Sequence, residues 1–423
     1  MKSIVYLLIV FVLASCSSHS TQSKNEIDKQ LKSLNFFEAK RELETSKTKL
    51  LKQDYLYFSG IINNAFNKNA ESLNNFQELL EDYGPKLSDS LKAKVLQTQL
   101  NLYLKIFEYK KGSLVGEELI KHYSKVLKPS ILNDIRNTLD ICRILKQIPN
   151  QIITKNEDDV VVLPIVRDKA NLQRIPVRIS NIEKNMIFDS GANLSLMSDS
   201  FAKKVGVTKL KGTINVGTGT DDVKVSLGVV KSMYLGSILF ENIIFLIFPD
   251  AMLYSAEIDY SMDAIIGYPV MSQLGEFTID NINNQFIIPI EPELTGVSNF
   301  ALNELNLLVL ATHKNDSLLF HFDSGSDRTS LFNRYYLKHK SEIDNLQLKT
   351  EQINLQGAGS TKQIDSYSIP DFDIQFTSKK IHFNSIDLYL EEVSEYDGRI
   401  GQDIISNMKK LTMNFDKMII KVE

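Results

Sequence analysis

The chain of 423 residues has few histidines, little net charge and no long apolar run. Its six histidines are scattered without metal-ligand spacing, which disfavours a zinc peptidase. No Gly-x-Ser-x-Gly elbow and no phosphate-binding Gly-Lys-Ser/Thr loop is present. A formal net charge of −4, with 43% apolar and 24% charged residues, argues against a nucleic-acid partner and against a disordered polyelectrolyte. The composition is typical of a soluble, globular chain.

The amino terminus has the pattern of a processing signal. Lys2 supplies a basic start, and the apolar stretch Ile4–Leu13 is too short to span a bilayer. With Leu13-Ala14-Ser15-Cys16 behind it, this segment resembles a bacterial lipoprotein signal. The resemblance implies that residues 1–15 are removed and that Cys16 is lipidated, which predicts a membrane anchor in the bacterial cell envelope. An ordinary secretory signal with an incidental cysteine is the alternative.

The residues that follow are predicted to connect this anchor to the folded chain. Residues 16–25 are expected to form a flexible tether, because the polar stretch Ser17–Asn25 has nothing to bury. A lipidated Cys16 leaves Cys142 without a partner for an internal disulfide. Cys142 is therefore expected to be a buried apolar residue.

Residues 26–150 are rich in Leu, Lys, Glu and Ala at helical spacing and predict an all-α domain. One helix presents Leu73, Phe76, Leu80 and Tyr83 on one face and stops at Gly84-Pro85. Its end, Glu78–Tyr83, is echoed further along the chain by Glu118–Tyr123, which resembles the stacked helix pairs of tetratricopeptide repeats. Generic helical hairpins are the alternative. Either arrangement offers a surface for a protein partner.

Near Pro149 the spacing changes to period two, which predicts β-strands with one buried face. The change is clearest in the alternating residues Val161, Leu163 and Ile165, followed by Ile175, Val177 and Ile179. The polar stretch Glu291–Asn299 is the best boundary within this all-β region. We therefore expect one β lobe over residues 155–291 and a second over residues 297–423.

A four-residue segment recurs, once in each expected lobe. Asp189-Ser190-Gly191-Ala192 is repeated as Asp323-Ser324-Gly325-Ser326, and the spacing between the two aspartates is called the repeat interval below. Each copy follows a predicted hairpin; the two hairpins are Ile175–Ile179, a turn at Asn181–Asn185 and Met186–Phe188, and Leu305–Ala311, a turn at His313–Asp316 and Leu318–Phe322. Downstream, Asp263–Gly267 and Asp397–Gly401 are separated by the same repeat interval, so each final glycine lies equally far from the aspartate of its own lobe. One such turn is common in loops, but two in matching register predict a pseudo-twofold site.

Two close carboxylates permit peptide hydrolysis without a metal or a covalent nucleophile. Like charges a few ångströms apart cannot both ionise cheaply, so such a pair shares one proton; pepsin is the standard example of this behaviour. The ionised group can take a proton from water while the other donates one. A glycosidase also uses two carboxyls, but identical flanks on both aspartates favour a twofold site, which suits a peptide backbone lying across it.

Residues 155–423 resemble two retropepsin-type β-barrel lobes fused in one chain, which implies a pepsin-like, bilobed aspartic peptidase. The resemblance implies that Asp189 and Asp323 form the catalytic dyad in a single chain that is active as a monomer and needs no cofactor. It also implies that Ser190 and Ser324 hydrogen-bond across the dyad. Gly191 and Gly325 are expected to allow the tight backbone turn.

The resemblance also assigns flaps and a groove. The flap hairpins, which close over the substrate, contain Gly217, Thr218 and Gly219 in the first lobe and Gly357, Ala358 and Gly359 in the second. For these segments taken alone, ordinary hairpin turns are the alternative. The groove positions are Ile265, Ile266 and Gly267 in the first lobe and Arg399, Ile400 and Gly401 in the second.

Arg399 departs from the family pattern, because the equivalent residue of the first lobe is Ile265. A guanidinium there favours the ionised form of a nearby carboxyl and suits an acidic substrate side chain beside the scissile bond. The alternative is that Arg399 faces solvent or pairs with Asp397. Neither flap carries the tyrosine of pepsin-like enzymes.

The sequence thus predicts a lipid-anchored aspartic endopeptidase that acts on a peptide or protein outside the cytoplasm. The main alternative is a non-catalytic peptide-binding lipoprotein that keeps the two-lobed groove. A third reading is a scaffold whose helices hold partners while the β lobes are structural.

Overall fold

The computed structural model describes residues 21–155, 159–217, 222–255, 259–357, 361–391 and 394–423. Helices occupy the described chain up to Leu145, and strands predominate from Ile152 onward. An all-α region followed by a β-rich region is therefore confirmed. Within this described part, no helix combines the length and the apolar character needed to cross a membrane.

The amino-terminal region consists of consecutive helices joined by short loops. They are α1 (residues 21–32), α2 (Phe36–Ser46), α3 (Lys52–Ala65), α4 (Asn69–Tyr83), α5 (Asp89–Lys105), α6 (Tyr109–Tyr123) and α7 (Pro129–Leu145). Two of them start at a side-chain cap: Asn35 Oδ1 accepts from the Glu38 amide before α2, and Ser88 Oγ accepts from the Leu91 amide before α5. Helix α4 ends at Tyr83, directly before Gly84-Pro85, as the sequence predicts.

Residues 21–25 correct the predicted tether, because they are part of helix α1. Ile27 of the same helix is fully buried in the main hydrophobic core. The Lys24 ammonium pairs with Asp54 of α3 at 2.7 Å. These two contacts stabilise the helix and extend it toward the amino terminus. The composition of a polar stretch does not show such contacts with a distant helix, so the sequence did not predict them. Cys16 and residues 1–15 lie outside the described residues.

Adjacent helices pack as hairpins, with α3 against α4 and α5 against α6. Helices α4 and α6 are equally long, and each is followed by a short 3₁₀ turn. The interior includes Phe76, Leu79 and Leu119, and Cys142 is a fully buried free thiol, as expected. Membership of the tetratricopeptide family stays a prediction.

The strands of the first expected lobe are β1 (Ile152–Thr154), β2 (Val161–Pro164), β3 (Val166–Arg167), β4 (Gln173–Ile179), β5 (Ile182–Phe188), β6 (Ser195–Ser198), β7 (Thr208–Lys209), β8 (Ile214–Gly217), β9 (Asp222–Leu235), β10 (Ile238–Phe248), β11 (Tyr254–Ser255), β12 (Tyr260–Ser261), β13 (Ala264–Ile266), β14 (Glu276–Asp280) and β15 (Gln285–Ile288). Two short helices lie among them, α8 (Asp199–Lys204) and α9 (Tyr268–Gln273). The first lobe was expected to start at residue 155, but strand β1 of its sheet already begins at Ile152.

The strands of the second expected lobe are β16 (Phe300–Asn303), β17 (Asn306–His313), β18 (Asp316–Phe322), β19 (Ser330–Leu331), β20 (Glu351–Gln356), β21 (Thr361–Phe376), β22 (Lys379–Tyr389), β23 (Gly398–Ile400), β24 (Lys410–Asn414) and β25 (Ile419–Val422). The accompanying helices are α10 (Asn333–Lys338), α11 (Lys340–Asn345) and α12 (Gln402–Ile405). No strand is assigned between Ile288 and Phe300, where the sequence places its boundary.

Three larger sheets organise these strands. The first sheet contains β1-β10-β6-β13-β5-β4-β9-β7, with β3 beside β4 and β8 beside β9, and the second contains β16-β17-β18-β23-β19-β22-β21-β20. In the first, β5 runs parallel to β13 and β6 runs parallel to β10; in the second, β18 runs parallel to β23 and β19 parallel to β22. The two sheets thus repeat one topology. Closure of each sheet into a barrel stays a prediction.

A third sheet, with the order β2-β15-β14-β24-β25, joins the two halves. At its centre β14 pairs antiparallel with β24, so that Thr278 faces Thr412. Their hydroxyl oxygens lie 2.8 Å apart, and the two threonines are themselves separated by the repeat interval. A pseudo-twofold axis therefore passes between these threonines.

Candidate active site

Both Asp-Ser-Gly loops begin at the buried end of a strand that lies inside its sheet. Asp189 follows β5, and its amide donates to the Ile266 carbonyl of the parallel strand β13 at 2.9 Å. Asp323 follows β18, and its amide donates to the Ile400 carbonyl of β23 at 3.0 Å. Each hairpin that delivers a loop turns over two residues, of which the first, Ser180 or Lys314, has positive φ. The second turn lies where the sequence predicts it, and the first is shorter than the predicted Asn181–Asn185. The two loops are anchored in the same way.

The two loops are bonded to each other through their serines. Ser324 Oγ accepts from the Ser190 amide at 2.9 Å and donates to the Phe188 carbonyl at 2.8 Å. Reciprocally, Ser190 Oγ accepts from the Ser324 amide at 3.0 Å and donates to the Phe322 carbonyl at 3.0 Å. Both serines are buried. Four reciprocal hydrogen bonds therefore fix the position of one aspartate relative to the other.

Glycine is required at 191 and 325 by close approach, which corrects the turn argument made from the sequence. Neither residue has the positive φ that favours glycine. A Cβ on Gly191 would instead overlap the Asp323 carboxyl, and a Cβ on Gly325 would overlap the Asp189 carboxyl. Each glycine amide also donates to the carboxylate of its own loop, at 2.8 Å for Gly191 and 3.0 Å for Gly325. Each carboxyl group is thus packed against the backbone glycines of both loops.

The electrostatics of the site favour one shared proton. Burial raises the pKa of Asp189 well above its usual range, and the negative charge of Asp323 raises it further. Hydrogen bonds from the backbone amides of Gly191 and Gly325 act in the opposite direction and do not cancel the rise in pKa. The pair therefore carries a proton at pH values where an isolated aspartic acid is fully ionised.

Arg399 of β23 faces this pair. Its Nη1 lies 3.5 Å from Asp323 Oδ2, and the arginine side chain is one quarter exposed. The alternative pairing with Asp397 is wrong, because Asp397 is fully buried and bound elsewhere: its carboxylate lies 2.5 Å from the Lys338 ammonium and 3.4 Å from Arg334. The expectation that Arg399 faces solvent is equally wrong.

The structure corrects the assignment of the other groove positions. Ile266 and Ile400 are fully buried in the main core, and Ile265 is almost fully buried in a second hydrophobic cluster. Gly267 and Gly401 donate their amides to Ser195 Oγ and Thr329 Oγ1, each at 3.0 Å. These residues sit beside the strands that carry the aspartates and hold them in place. Among the six predicted groove residues, Arg399 alone combines substantial exposure with contact to the dyad.

The arms of both predicted flaps are hairpins. In the first, β8 pairs with β9 from Ile214–Val225 to Gly217–Asp222. In the second, β20 pairs with β21 up to Gln356–Thr361, and Gly357 follows directly. Thr218, Gly219, Ala358 and Gly359 lie outside the described residues.

His321 was missed by the sequence argument. It lies on β18, two residues before Asp323, and pairs in register with Arg399 of β23. Burial lowers its pKa; the charge of Asp323 opposes this effect, and the positive charge of Arg399 adds to it. His321 and Ile187 are separated by the repeat interval, so they are equivalent positions of the two lobes. The comparison of lobes that identified Arg399 against Ile265 would have identified His321 as well.

The comparisons with known proteins address the first half of this site. Residues 175–270 match a family model described as aspartyl protease. A search of curated proteins found no match. Similar solved structures include a retropepsin-like aspartic protease from Rickettsia conorii, at 18% sequence identity and a TM-score of 0.24, covering 33% of this chain and 92% of that chain. By the family match, residues 175–270, which carry Asp189 and Asp263–Gly267, are similar to the aspartyl protease family.

Proposed function

We propose that this protein is an aspartic endopeptidase whose catalytic pair is Asp189 and Asp323. The observation that carries the proposal is the meeting of two Asp-Ser-Gly loops about one pseudo-twofold axis, with reciprocal serine bonds and a raised pKa at Asp189 caused by burial and by the charge of Asp323. The family match over residues 175–270 supports it.

The chemistry needs only the two carboxyls, one water molecule and the peptide. The ionised carboxylate takes a proton from water as the water oxygen attacks the peptide carbonyl carbon. The protonated carboxyl donates to the carbonyl oxygen, which gives a tetrahedral diol. As that intermediate collapses, the C–N bond breaks and the nitrogen receives a proton from the protonated carboxyl. One diol hydroxyl gives its proton to the other carboxylate, and the second product is a carboxylic acid. The dyad ends with its one shared proton.

One chain supplies both carboxyls in this proposal, so the enzyme is active as a monomer. The joining sheet supports it, because β14 and β24 connect the two halves by backbone hydrogen bonds at the axis. No cofactor takes part. The helical region is proposed to serve as the surface for a substrate or partner protein.

We also propose that the protein is anchored through a lipid on Cys16, on the periplasmic face or the cell surface. The apolar stretch before Cys16 motivates this location. Cys16→Ser is expected to release the protein from membranes. A variant that still sediments with membranes after a high-salt wash would contradict the anchor.

The decisive experiment uses the full-length chain purified in detergent, a denatured protein and a peptide library. Cleavage is read by mass spectrometry, with and without a statine-containing transition-state mimic. Wild type is expected to cleave and the mimic to inhibit, whereas Asp189→Asn and Asp323→Asn are expected to lose at least about a thousandfold in kcat/KM. The same library tests the expected preference for an acidic residue beside the scissile bond, and equal yields from acidic and apolar peptides would contradict that preference.

Asp327→Asn is the matched control. Asp327 lies four residues beyond Asp323, and its carboxylate is about half exposed and pairs with Arg328. Its replacement is expected to leave turnover unchanged. A wild-type protein that binds the mimic and cleaves no peptide would instead support the peptide-binding lipoprotein. Binding of neither the mimic nor a peptide would support the scaffold.

A further inference from the structure

The two halves of the site differ chemically at one pair of strand positions. Beside Asp189, Ile187 of β5 pairs with Ile265 of β13. Beside Asp323, the equivalent pair is His321 of β18 and Arg399 of β23. The backbone arrangement is the same in both lobes. The apolar pair of the first lobe is replaced in the second by an imidazole and a guanidinium. The two aspartates therefore have unequal surroundings although their loops are equivalent.

Arg399 is the charged member of this pair. Among the described residues, Asp323 is the carboxylate with which its guanidinium forms an ion pair, and its Nε is buried without a hydrogen bond to any of them. The titratable groups nearest to it on the neighbouring strands are His321 of β18 and Tyr389 of β22, on whose pKa values its charge acts. Asp387 of β22 pairs with Arg328 at 3.4 Å. Burial lowers the pKa of His321, and burial raises the pKa of Tyr389, so both groups are neutral near neutral pH. Near neutral pH, Arg399 is therefore the member of this group that places a positive charge beside Asp323.

We propose that Arg399 is a positioning residue that keeps Asp323 ionised and leaves the shared proton on Asp189. Asp323 then takes the proton from water, and Asp189 donates to the carbonyl oxygen of the substrate. This inference rests on the proposed function and deepens it by giving each carboxyl one role. It also implies that a substrate binds in one direction, because the base and the acid are not interchangeable.

The direction of the pH effect follows from the charge. A fixed positive charge favours the singly ionised dyad over the fully protonated dyad, so the active form persists to lower pH when Arg399 is present. Removing the charge makes the dyad take up its second proton at higher pH. The acidic limb of the pH profile of kcat/KM then moves upward.

Three variants test the inference. In Arg399→Met the acidic limb is expected to rise by about 1 pH unit relative to wild type. Arg399→Lys keeps the charge and is expected to stay close to wild type. Arg178→Met is the matched control, because the exposed Arg178 stacks over Tyr234 at the far end of the β4–β5 hairpin. Circular dichroism checks that each variant is folded.

A second measurement reads the dyad without turnover. Carboxyl carbon resonances of labelled aspartate, assigned with Asp189→Asn and Asp323→Asn, report which group ionises first. Wild type is expected to show Asp323 ionised at lower pH than Asp189, and Arg399→Met is expected to reduce the separation.

The outcomes separate this inference from the proposed function. Equal titrations and equal pH profiles in wild type and Arg399→Met would overturn the role of Arg399 while leaving the peptidase assignment intact. The expected ionisation order in a protein that cleaves nothing would overturn the peptidase assignment and keep the electrostatic role. A shift of the acidic limb in Arg178→Met as large as that in Arg399→Met would also overturn the role of Arg399. The loss of any positive charge would then be sufficient to explain the shift.

Discussion

At the scale of single residues, Asp189 occupies a place that opposes its ionisation. Its pKa is raised by burial and by the charge of Asp323. The folded state therefore holds a proton at pH values where the unfolded chain has lost it. By linkage, the free energy of unfolding falls as pH rises from the unfolded pKa, about 3.9, through the folded pKa. The site weakens the fold at neutral pH.

We predict that Asp189→Asn is more stable than wild type at neutral pH and that the difference grows as pH rises from about 4. An amide cannot ionise, so the variant escapes the penalty, which is about 1.4 kcal/mol for each unit of pKa shift. Melting temperatures measured across pH check this. Asp327→Asn serves as the exposed control and is expected to follow wild type. A difference that shrinks with rising pH would contradict the assignment.

Some roles of single residues could be predicted from the sequence, and others could not. Asp189 and Asp323 were predictable because a doubled motif in one register leaves few alternatives. The cause of the two glycines was not predictable, since the groups that exclude a Cβ come from the other loop, in the other half of the β region. Ile266 and Ile400 were wrongly predicted to line the groove. An apolar residue before a glycine is as typical of a buried strand as of a groove wall, so the sequence pattern does not separate the two.

At the scale of elements, the helical region holds the β8–β9 hairpin, which is predicted to be the first flap. Asn137 of α7 makes two hydrogen bonds to the backbone of one residue of β8: its Nδ2 donates to the Asn215 carbonyl at 2.7 Å, and its Oδ1 accepts from the Asn215 amide at 3.1 Å. Ile144 of α7 lies against Gly212, just before β8. One hydrophobic cluster includes Ile141 of α7 and Ile214 of β8. The α7 helix thus fixes the base of the hairpin.

We predict that Asn137→Ala loosens this flap and lowers kcat/KM by roughly 3- to 10-fold, mainly through a higher KM. The loss corresponds to two hydrogen bonds at roughly 0.5 kcal/mol each, the low end for an exposed position, or about 1 kcal/mol in total. Steady-state kinetics on a peptide substrate measure it. Asn101→Ala is the matched control, because Asn101 also connects the helices to the β region, through Glu304 at 2.8 Å, and does not contact the flap. Equal losses in both variants would indicate a general loosening of the helices.

Element types were easier to predict than element contacts. The change from helical to period-two spacing near Pro149 predicted the two regions, and the alternation at Val161, Leu163 and Ile165 appears as three buried residues. The contact between α7 and β8 left no trace in the sequence. Asparagine at position 137 is as compatible with an ordinary exposed helix face as with a clamp, and its partner lies in a different region of the chain.

At the scale of the whole molecule, the sequence repeat predicted the pseudo-twofold symmetry of the β region. The contacts at the junction between the helices and the sheets could not be predicted from the sequence. Lys105 of α5 lies in this junction and is buried. Its ammonium donates to Asn64 Oδ1 at 2.7 Å and to the Asn64 carbonyl at 3.1 Å, beside a small cavity that Tyr268 and Leu305 also line. Burial lowers the pKa of Lys105 to about 7. No carboxylate among the described residues forms an ion pair with it.

We predict that Lys105→Met stabilises the protein at about pH 6 by an amount on the order of 2 kcal/mol. The pKa of Lys105 is lowered in the folded state, so the unfolded chain binds the extra proton between pH 7 and 10.5, and wild-type stability rises across that window. Methionine removes the buried charge and gives up two hydrogen bonds to Asn64, which partly offset the gain. Chemical denaturation at several pH values checks this, with Lys94→Met, an exposed change on the same helix, as the control. The advantage should shrink steadily above pH 7, whereas a variant less stable than wild type at pH 6 would show that the buried ammonium supports the junction.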